Sequence, residues 1–371
     1  MKNNKTVIIH FQPLEYYPPV QNAINEFAPN MALSVFSIHN DSIKNKFVNN
    51  RVSIIRPVCL NTQDSKSKRL LKYILFNLIT IIKILKLRPK NILYYETESA
   101  FPAYFLTKYL GVKSKLFIHY HEYNTPNQYR TGMAYTRYLH KKETYLYKKA
   151  CWISHTNQYR IDMFLSDLPM INPEKLIQLP NYPPKKWEAV QKKALKKLTY
   201  PIKLVYVGSL STKHMYTQEL FEWIRQMEGK FFLDIYAINI RQDALDLINQ
   251  YGSKYIQYKG GLNYDNIPNK LENYDIGLVI YKDYSPNVKY CASNKVFEYL
   301  TCNLDVWYSK EIIGTQQYQT KNSYPKVQAV DYTKLEKLDY QSLINRNGYE
   351  RKEFNFRAED VLNRLKKQLT N

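Results

Sequence analysis

Ser293-Asn294-Lys295-Val296-Phe297-Glu298-Tyr299-Leu300 is the stretch whose reading decides this chain. Ser293 is a good helix N-cap, because its hydroxyl accepts a bond from an unpaired amide of the first turn. The spacing predicts a helix over 294–301, beginning after a loop that leaves a strand near Tyr281. Val296, Phe297 and Leu300 are expected to point to a sheet. Lys295, Glu298 and Cys302 fall on another face at i, i+3 and i+7. Helix N-termini attract anions through free N–H groups and the dipole, so a lysine in the first turn is misplaced for helix stability. It points instead to an anionic ligand, and Glu298, one turn on, is placed to accept the two hydroxyls of a ribose. A solvated Lys–Glu pair fits the spacing equally.

This helix sits in a longer alternation of short apolar runs and helical stretches, the pattern of a parallel α/β sheet. In the first half, strands are expected at Val7–Phe11, Leu33–Ile38, Val52–Pro57, Ile92–Tyr95, Leu116–His121 and Trp152–Ser154. Helices are expected around 20–28, 67–87, 99–110 and 133–149. Three prolines in Leu179-Pro180-Asn181-Tyr182-Pro183-Pro184 break the pattern, since proline continues neither a helix nor a central strand. The alternation then restarts with strands at Lys203–Val207, Phe231–Tyr236, Ile256–Lys259, Ile276–Ile280 and Leu304–Trp307. Helices are expected at 214–228, 241–251, 264–273 and 294–301, and a charged helix over 346–369. The expected organisation is an α/β domain over 1–180, a second over 181–345, and a C-terminal helix over 346–371 that crosses back to the first. Right-handed crossovers place ligand loops at the carboxyl ends of the strands, facing a central cleft.

Composition agrees with a globular chain: 371 residues, 44% hydrophobic and 23% charged, too long for one ordinary core. The 35 tyrosines carry no functional weight. Cys59, Cys151, Cys291 and Cys302 are scattered without a CxxC pair, which excludes a zinc frame and points to a reducing, cytoplasmic setting. Met1-Lys2-Asn3-Asn4-Lys5 runs directly into a first strand, so no signal peptide is expected. The formal charge is +22, with 25 Lys and Arg against 11 Asp and Glu in residues 1–184. Such an excess attracts nucleic acid, anionic membrane or anionic substrates. The basic residues are not organised around a helix-turn-helix or an RNA-recognition sheet, so no nucleic-acid partner is expected.

Residues 66–90 hold eight basic residues and no acidic one, around an apolar run from Leu70 to Leu85. Lysines within the run argue against a transmembrane span. A basic apolar helix lying on an anionic bilayer fits, as does a buried domain helix with basic ends.

Two further strand ends carry chemistry. Gly208-Ser209-Leu210 closes Lys203–Val207 with Lys213 just beyond, and glycine there lets the backbone approach a pyrophosphate. A plain tight turn is the alternative. Phe117-Ile118-His119-Tyr120-His121-Glu122-Tyr123 closes a strand of the first half. Alternation puts His119 and His121 on one face and Tyr120 on the other, with His121 and Glu122 at the carboxyl edge as candidates for proton transfer.

The 293–300 segment resembles the nucleotide-binding signature of GT-B glycosyltransferases, particularly glycosyltransferase family 4. The resemblance implies two Rossmann-like domains, a nucleotide-sugar donor carrying UDP or GDP, and retention at the anomeric carbon. It assigns the ribose to Glu298 and the phosphates to Lys213 and Lys295, with Gly208, Ser209, Ser293 and Asn294 in the donor site. Gly261 and Leu262, after Tyr258-Lys259-Gly260, stand where similar proteins hold the base. His121 or Glu122 stands near the anomeric carbon. Tyr290 replaces a glutamate that contacts the donor sugar in the family, so Tyr290 and Tyr281 become the sugar-side candidates. Tyr281 to Asn287 is expected to be a mobile loop. The usual Gly-Pro after the signature is replaced by Leu304-Asp305. His119 and His121 lack a third metal ligand at proper spacing, and the chain has no Asp-x-Asp. No metal or other cofactor is expected, and the lysines neutralise the leaving diphosphate. The acceptor is expected to be a glycan or lipid-linked hydroxyl in surface polysaccharide assembly. A sugar-nucleotide 2-epimerase of the same fold, a basic nucleic-acid-binding protein and an inactive scaffold are the alternatives.

Overall fold

The computed structural model describes residues 5–43, 45–190, 198–238 and 240–371. Met1–Asn4, expected to lead straight into the first strand, lie outside them. The chain divides into two compact units, one of residues 1–181 and 358–371, the other of residues 182–357.

The first unit holds a seven-stranded sheet. Its order is β4 (Val52–Ile55), β2 (Ala32–Phe36), β1 (Lys5–Ile9), β6 (Asn91–Tyr95), β7 (Lys115–Tyr120), β8 (Trp152–His155) and β9 (Leu176–Gln178). Every pairing is parallel. A small separate pair joins β3 (His39–Asn40) to β5 (Cys59–Leu60). Up to the unit's boundary the helices among the described residues are α1 (Pro18–Phe27), α2 (Lys66–Leu87), α3 (Ala100–Tyr109), α4 (Pro126–Thr131), α5 (Ala134–Lys149) and α6 (Gln158–Asp167). The strands are apolar on both sides because both faces are covered. Val7, Ile9, Tyr94, Ile118 and Ile153 pack with Phe76 and Ile84 of α2, Leu106 of α3 and Leu146 of α5. Ile8, Val35, Leu93 and Phe117, one residue out of phase, meet Ile24 and Phe27 of α1 on the other face.

The second unit repeats the plan with six strands. Their order is β12 (Ile256–Tyr258), β11 (Phe231–Tyr236), β10 (Ile202–Val207), β13 (Ile276–Val279), β14 (Asp305–Ser309) and β16 (Val327–Val330), again all parallel. β15 (Ser323–Tyr324) pairs β17 (Glu350–Arg351) apart from it. Its helices are α7 (Thr217–Gln226), α8 (Gln242–Tyr251), α9 (Ile267–Leu271), α10 (Pro286–Lys289), α11 (Asn294–Thr301), α12 (Ile313–Gln316) and α13 (Tyr340–Ile344). The last helix, α14 (Ala358–Thr370), belongs to the first unit, where Leu362, Leu365 and Leu369 join the core beneath α1. The Asn91 amide donates to the Leu369 carbonyl at 2.7 Å.

Three expected helices are shorter than the sequence pattern implies. Residues 346–357 are not helical: Phe354 and Phe356 leave the chain as aromatic plugs, Phe356 against Phe297 and Tyr182. α7 begins at Thr217 rather than 214, because the preceding loop is tied to a neighbouring strand end by Tyr216 N–H to Ile280 O, 2.9 Å. The stretch 264–273 opens as a single 3-10 turn before α9.

Candidate functional site

In the second unit the carboxyl edge of the sheet gathers the donor-side candidates. β10 ends at Val207 and is followed by Gly208, whose φ of +151° belongs to glycine. A Cβ there would stand 3.3 Å from the Tyr206 hydroxyl and 3.8 Å from Cε of Lys295. The Lys295 side chain therefore runs alongside the bare backbone of Gly208. The buried Tyr206 hydroxyl donates to Ser209 O at 2.6 Å and fixes the start of the loop.

Ser293 caps α11, its hydroxyl accepting from Lys295 N–H at 3.3 Å. Asn294 opens the helix, half-buried, and Lys295 Nζ donates to Glu298 Oε2 at 2.7 Å. The helix sits against its sheet through Val296, Tyr299 and Leu300. Here the sequence assignment needs correcting. Phe297 does not face the sheet; it packs on Tyr182, Tyr318 and Phe356. Tyr299 takes the sheet position, its hydroxyl accepting from Val207 N–H at 3.1 Å. Its ring occupies the space above Gly277, where a Cβ would lie 2.2 Å from ring carbons. Glu298 and Cys302, expected on a face other than the one toward the sheet, are both buried.

Lys213 is exposed in the loop between β10 and α7, and among the described residues no ion pair holds it. The loop itself is pinned on both sides. Thr212 N–H donates to Asp243 of α8 at 2.9 Å, and Lys282 N–H donates to His214 O at 3.0 Å. Tyr281 bridges Met215 and is half-buried. Burial pushes its hydroxyl up to about 12, with hydrogen bonds to Ser293 and Tyr206 opposing the shift. Residues 281–287 are not one loop, because α10 starts at Pro286 behind a Ser285 cap. Tyr290 ends α10, donating its N–H to Pro286 O at 3.0 Å. Gly261 and Leu262 follow β12, two strands from β10 on the same edge, with Gly261 exposed and Leu262 half-buried.

In the first unit, β7 delivers His119 and His121 to one face. Their rings meet edge to face at 4.5 Å, with His119 Nε2 3.2 Å from His121 Nδ1. His119 Nδ1 also meets Ser154 Oγ at 2.8 Å. His121 stacks on Tyr95 at 5.3 Å, and its Nδ1 lies 3.2 Å from Asn181 Oδ1. Among the described residues its Nε2 is buried without a partner. Burial lowers the His121 imidazole to about 4, so it is neutral at physiological pH. With the proton on Nδ1 toward Asn181, Nε2 presents a lone pair able to accept a proton or a hydrogen bond.

Glu96, absent from the sequence candidates, organises this corner. It follows β6 with φ 62° and ψ 156°, a region essentially reserved for glycine. Its Oε1 accepts from His121 N–H at 2.6 Å. Burial, then the nearby Glu122 and Glu98 carboxylates, raises its carboxyl well above the ordinary range. The signal available in the sequence was the acidic pair in Tyr95-Glu96-Thr97-Glu98 at a strand end. Arg160 of α6, outside every motif of the sequence, is buried and donates to the His121 carbonyl and to Thr156 Oγ1, the latter at 2.6 Å.

Glu122 is exposed and opens onto a pocket of about 160 Å³ lined by Tyr120, Tyr129, His155, Phe164 and Asp167 among others. Beneath it the fully buried Glu143 accepts from Tyr94 (3.0 Å), Thr97 (2.8 Å) and Tyr120. Among the described residues no group of three or more His, Cys, Asp or Glu is placed to hold a metal ion.

No protein-family model matches the chain, and no curated protein matches it in sequence. Solved structures do match in shape. HepE of Anabaena, in complex with UDP and glucose, superposes with a TM-score of 0.66 over 99% of this chain and 100% of its own, at 11% identity. The lipopolysaccharide outer core galactosyltransferase WaaB gives 0.61 over 97% and 98%, at 11% identity. A Listeria monocytogenes protein assigned as a UDP-N-acetylglucosamine 2-epimerase gives 0.58 over 98% and 95%, at 13% identity. The fold is GT-B, built from two Rossmann-like domains.

Proposed function

We propose that this chain is a glycosyltransferase that moves a sugar from a UDP- or GDP-sugar to a hydroxyl of a glycan or lipid-linked acceptor, with retention at the anomeric carbon. The observation that carries it is the Lys295–Glu298 pair on the first turns of α11, beside the bare backbone of Gly208. A cation, a helix N-terminus and a glycine at the end of a parallel strand form a diphosphate cradle. The fold supports this reading, since HepE, which shares it, is solved with UDP and glucose.

In this mechanism Lys295, assisted by Lys213, takes the charge that builds on the diphosphate as the anomeric C–O bond breaks. Glu298, released from Lys295, accepts the ribose hydroxyls. Ser209, Ser293 and Asn294 line the phosphates, Gly261 and Leu262 the base, and Tyr281 and Tyr290 the sugar. The acceptor oxygen bonds to the anomeric carbon, and its proton is received or steered by neutral His121 or by Glu122. No resident metal is required, because the lysines supply the positive charge. The setting is cytoplasmic assembly of surface polysaccharide.

The test is a thermal-shift panel of nucleotides and nucleotide sugars, since a bound donor raises the melting temperature by mass action, followed by transfer assays with the donor that binds. No shift with any donor overturns the proposal. Because a protein assigned as an epimerase shares the fold, the same donor is incubated without acceptor. Appearance of an epimer at a rate matching turnover replaces transfer with 2-epimerisation.

A further inference from the structure

Helix α2 is 22 residues long, about 33 Å at the usual rise. It attaches to its domain by one face only, through Tyr73, Phe76, Asn77, Thr80, Ile81 and Ile84. The Tyr73 hydroxyl donates to Glu98 O at 3.2 Å, and Asn77 donates back to Tyr73 O at 2.8 Å.

The opposite face is apolar and open. Leu71 is 65% exposed, Leu78 and Ile82 52% each, and Leu70, Ile74, Leu75 and Leu85 between 40% and 49%. At about 100° per residue these side chains fall in one stripe of about 140°. Lys68, Lys72, Lys83 and Lys86 lie together along one border of the stripe. Lys68 and Lys72 are paired with Asp64, at 3.2 and 2.6 Å. Among the described residues no ion pair holds Lys66, Arg69, Lys83 or Lys86, and the helix contains no acidic residue.

An apolar stripe of this size is not left to water without a partner. The helix is anchored to the core from Tyr73 to Ile84, and among the described residues no helix is long and apolar enough to cross a membrane. A second copy of the chain packed two-fold on the stripe would bring basic borders close together, and like charges there oppose association. A bilayer surface meets both features at once. The stripe enters the acyl boundary while the border lysines meet anionic headgroups.

We infer that α2 is a docking surface that lays the first domain on an anionic bilayer with the helix axis in the membrane plane. This goes beyond sugar transfer and stands independently of it.

The test is flotation of the purified full chain with phosphatidylcholine vesicles, with and without phosphatidylglycerol. The chain floats with the anionic vesicles, and added salt weakens the interaction. A Leu71→Gln/Leu78→Gln/Ile82→Gln variant loses flotation while keeping its melting temperature and its nucleotide-induced thermal shift, because none of the three is in the core or the donor site. Lys83→Glu/Lys86→Glu weakens binding to anionic vesicles at least about tenfold and leaves weak binding to neutral ones unchanged. Failure of the wild-type chain to float with anionic vesicles overturns the inference. So does sedimentation showing a dimer that the triple variant dissolves, which assigns the stripe to a second copy. A failed donor panel alongside normal flotation counts against the glycosyltransferase reading alone.

Discussion

The ammonium of Lys295 lies 2.7 Å from Oε2 of Glu298, one turn apart on a helix whose side chains here are 18% and 5% exposed. Glu298 is enclosed and acceptor-only when charged, so Lys295 is its charge partner in the unliganded chain. Truncating one member of an enclosed pair costs more than replacing both, because the survivor keeps its desolvation penalty. Lys295→Met therefore lowers the melting temperature more than Lys295→Met/Glu298→Gln does. Donor binding separates function from stability. Lys295→Met weakens UDP binding by about 10- to 100-fold, the worth of a lost charge-assisted contact. Titration calorimetry reads it, and wild-type affinity in Lys295→Met removes the lysine from the phosphate site.

The seat of α11 depends on Tyr299 lying over Gly277 and accepting from Val207 N–H. Tyr299→Phe leaves that buried amide unpaired and costs about 1–3 kcal/mol. Gly277→Ala drives a methyl into the ring, where the space is 2.2 Å. Overpacking of this kind costs about 1–3 kcal/mol. Urea unfolding of the full chain gives both values. A Gly277→Ala midpoint equal to wild type would show that the helix shifts freely, and the positioning argument for Lys295 and Glu298 then fails.

These contacts mark how far the sequence could be read. The Ser293 cap and the 294–301 helix are local signals, and the structure places both at the expected residues. Which of Phe297 and Tyr299 faces the sheet is not local. It is decided by Gly277 on another strand and by Phe354 and Phe356, more than fifty residues downstream, whose chain is not helical. The parallel α/β alternation was legible because strands covered on both faces stay apolar throughout. The part played by Glu96 was not, because its strained backbone is imposed by neighbours on β7, and an acidic pair at a strand end does not announce it.

Glu96 occupies a glycine conformation at φ 62° while accepting from His121 N–H at 2.6 Å. Strain of this order, about 1–3 kcal/mol, persists when the surroundings hold it in place, and it clusters at functional corners. Glu96→Gly relieves the backbone but removes the carboxylate that orders the His121 strand end. The expected result is a melting temperature at or above wild type with turnover reduced at least about tenfold. Full activity in a stable Glu96→Gly variant would reduce Glu96 to a loop residue.

His155 closes β8 against the pocket beside Glu122, stacked on Tyr120 at 5.1 Å, with both ring nitrogens buried and unpartnered among the described residues. Burial, with a smaller contribution from the Arg160 guanidinium, lowers its pKa from 6.5 to about 3. Between those values the unfolded chain binds a proton that the folded chain refuses, so stability falls as pH falls from 6.5 and levels off near the folded value. From about pH 7.5 to about pH 5.5 this one group removes about 1.4 kcal/mol. His10, His119 and His121 are lowered in the same way and act in the same direction. Glu96, raised by burial, binds its proton more readily when folded and opposes them over acidic pH. Comparing wild type with His155→Phe cancels those shared contributions. The phenyl ring keeps the stack and removes two unpaired polar atoms, so the variant is more stable at neutral pH by about 1 kcal/mol. Its advantage widens by about 1.4 kcal/mol at about pH 5.5. Parallel denaturation curves at the two pH values measure the difference, and an advantage independent of pH would mean that His155 finds water or a partner in solution.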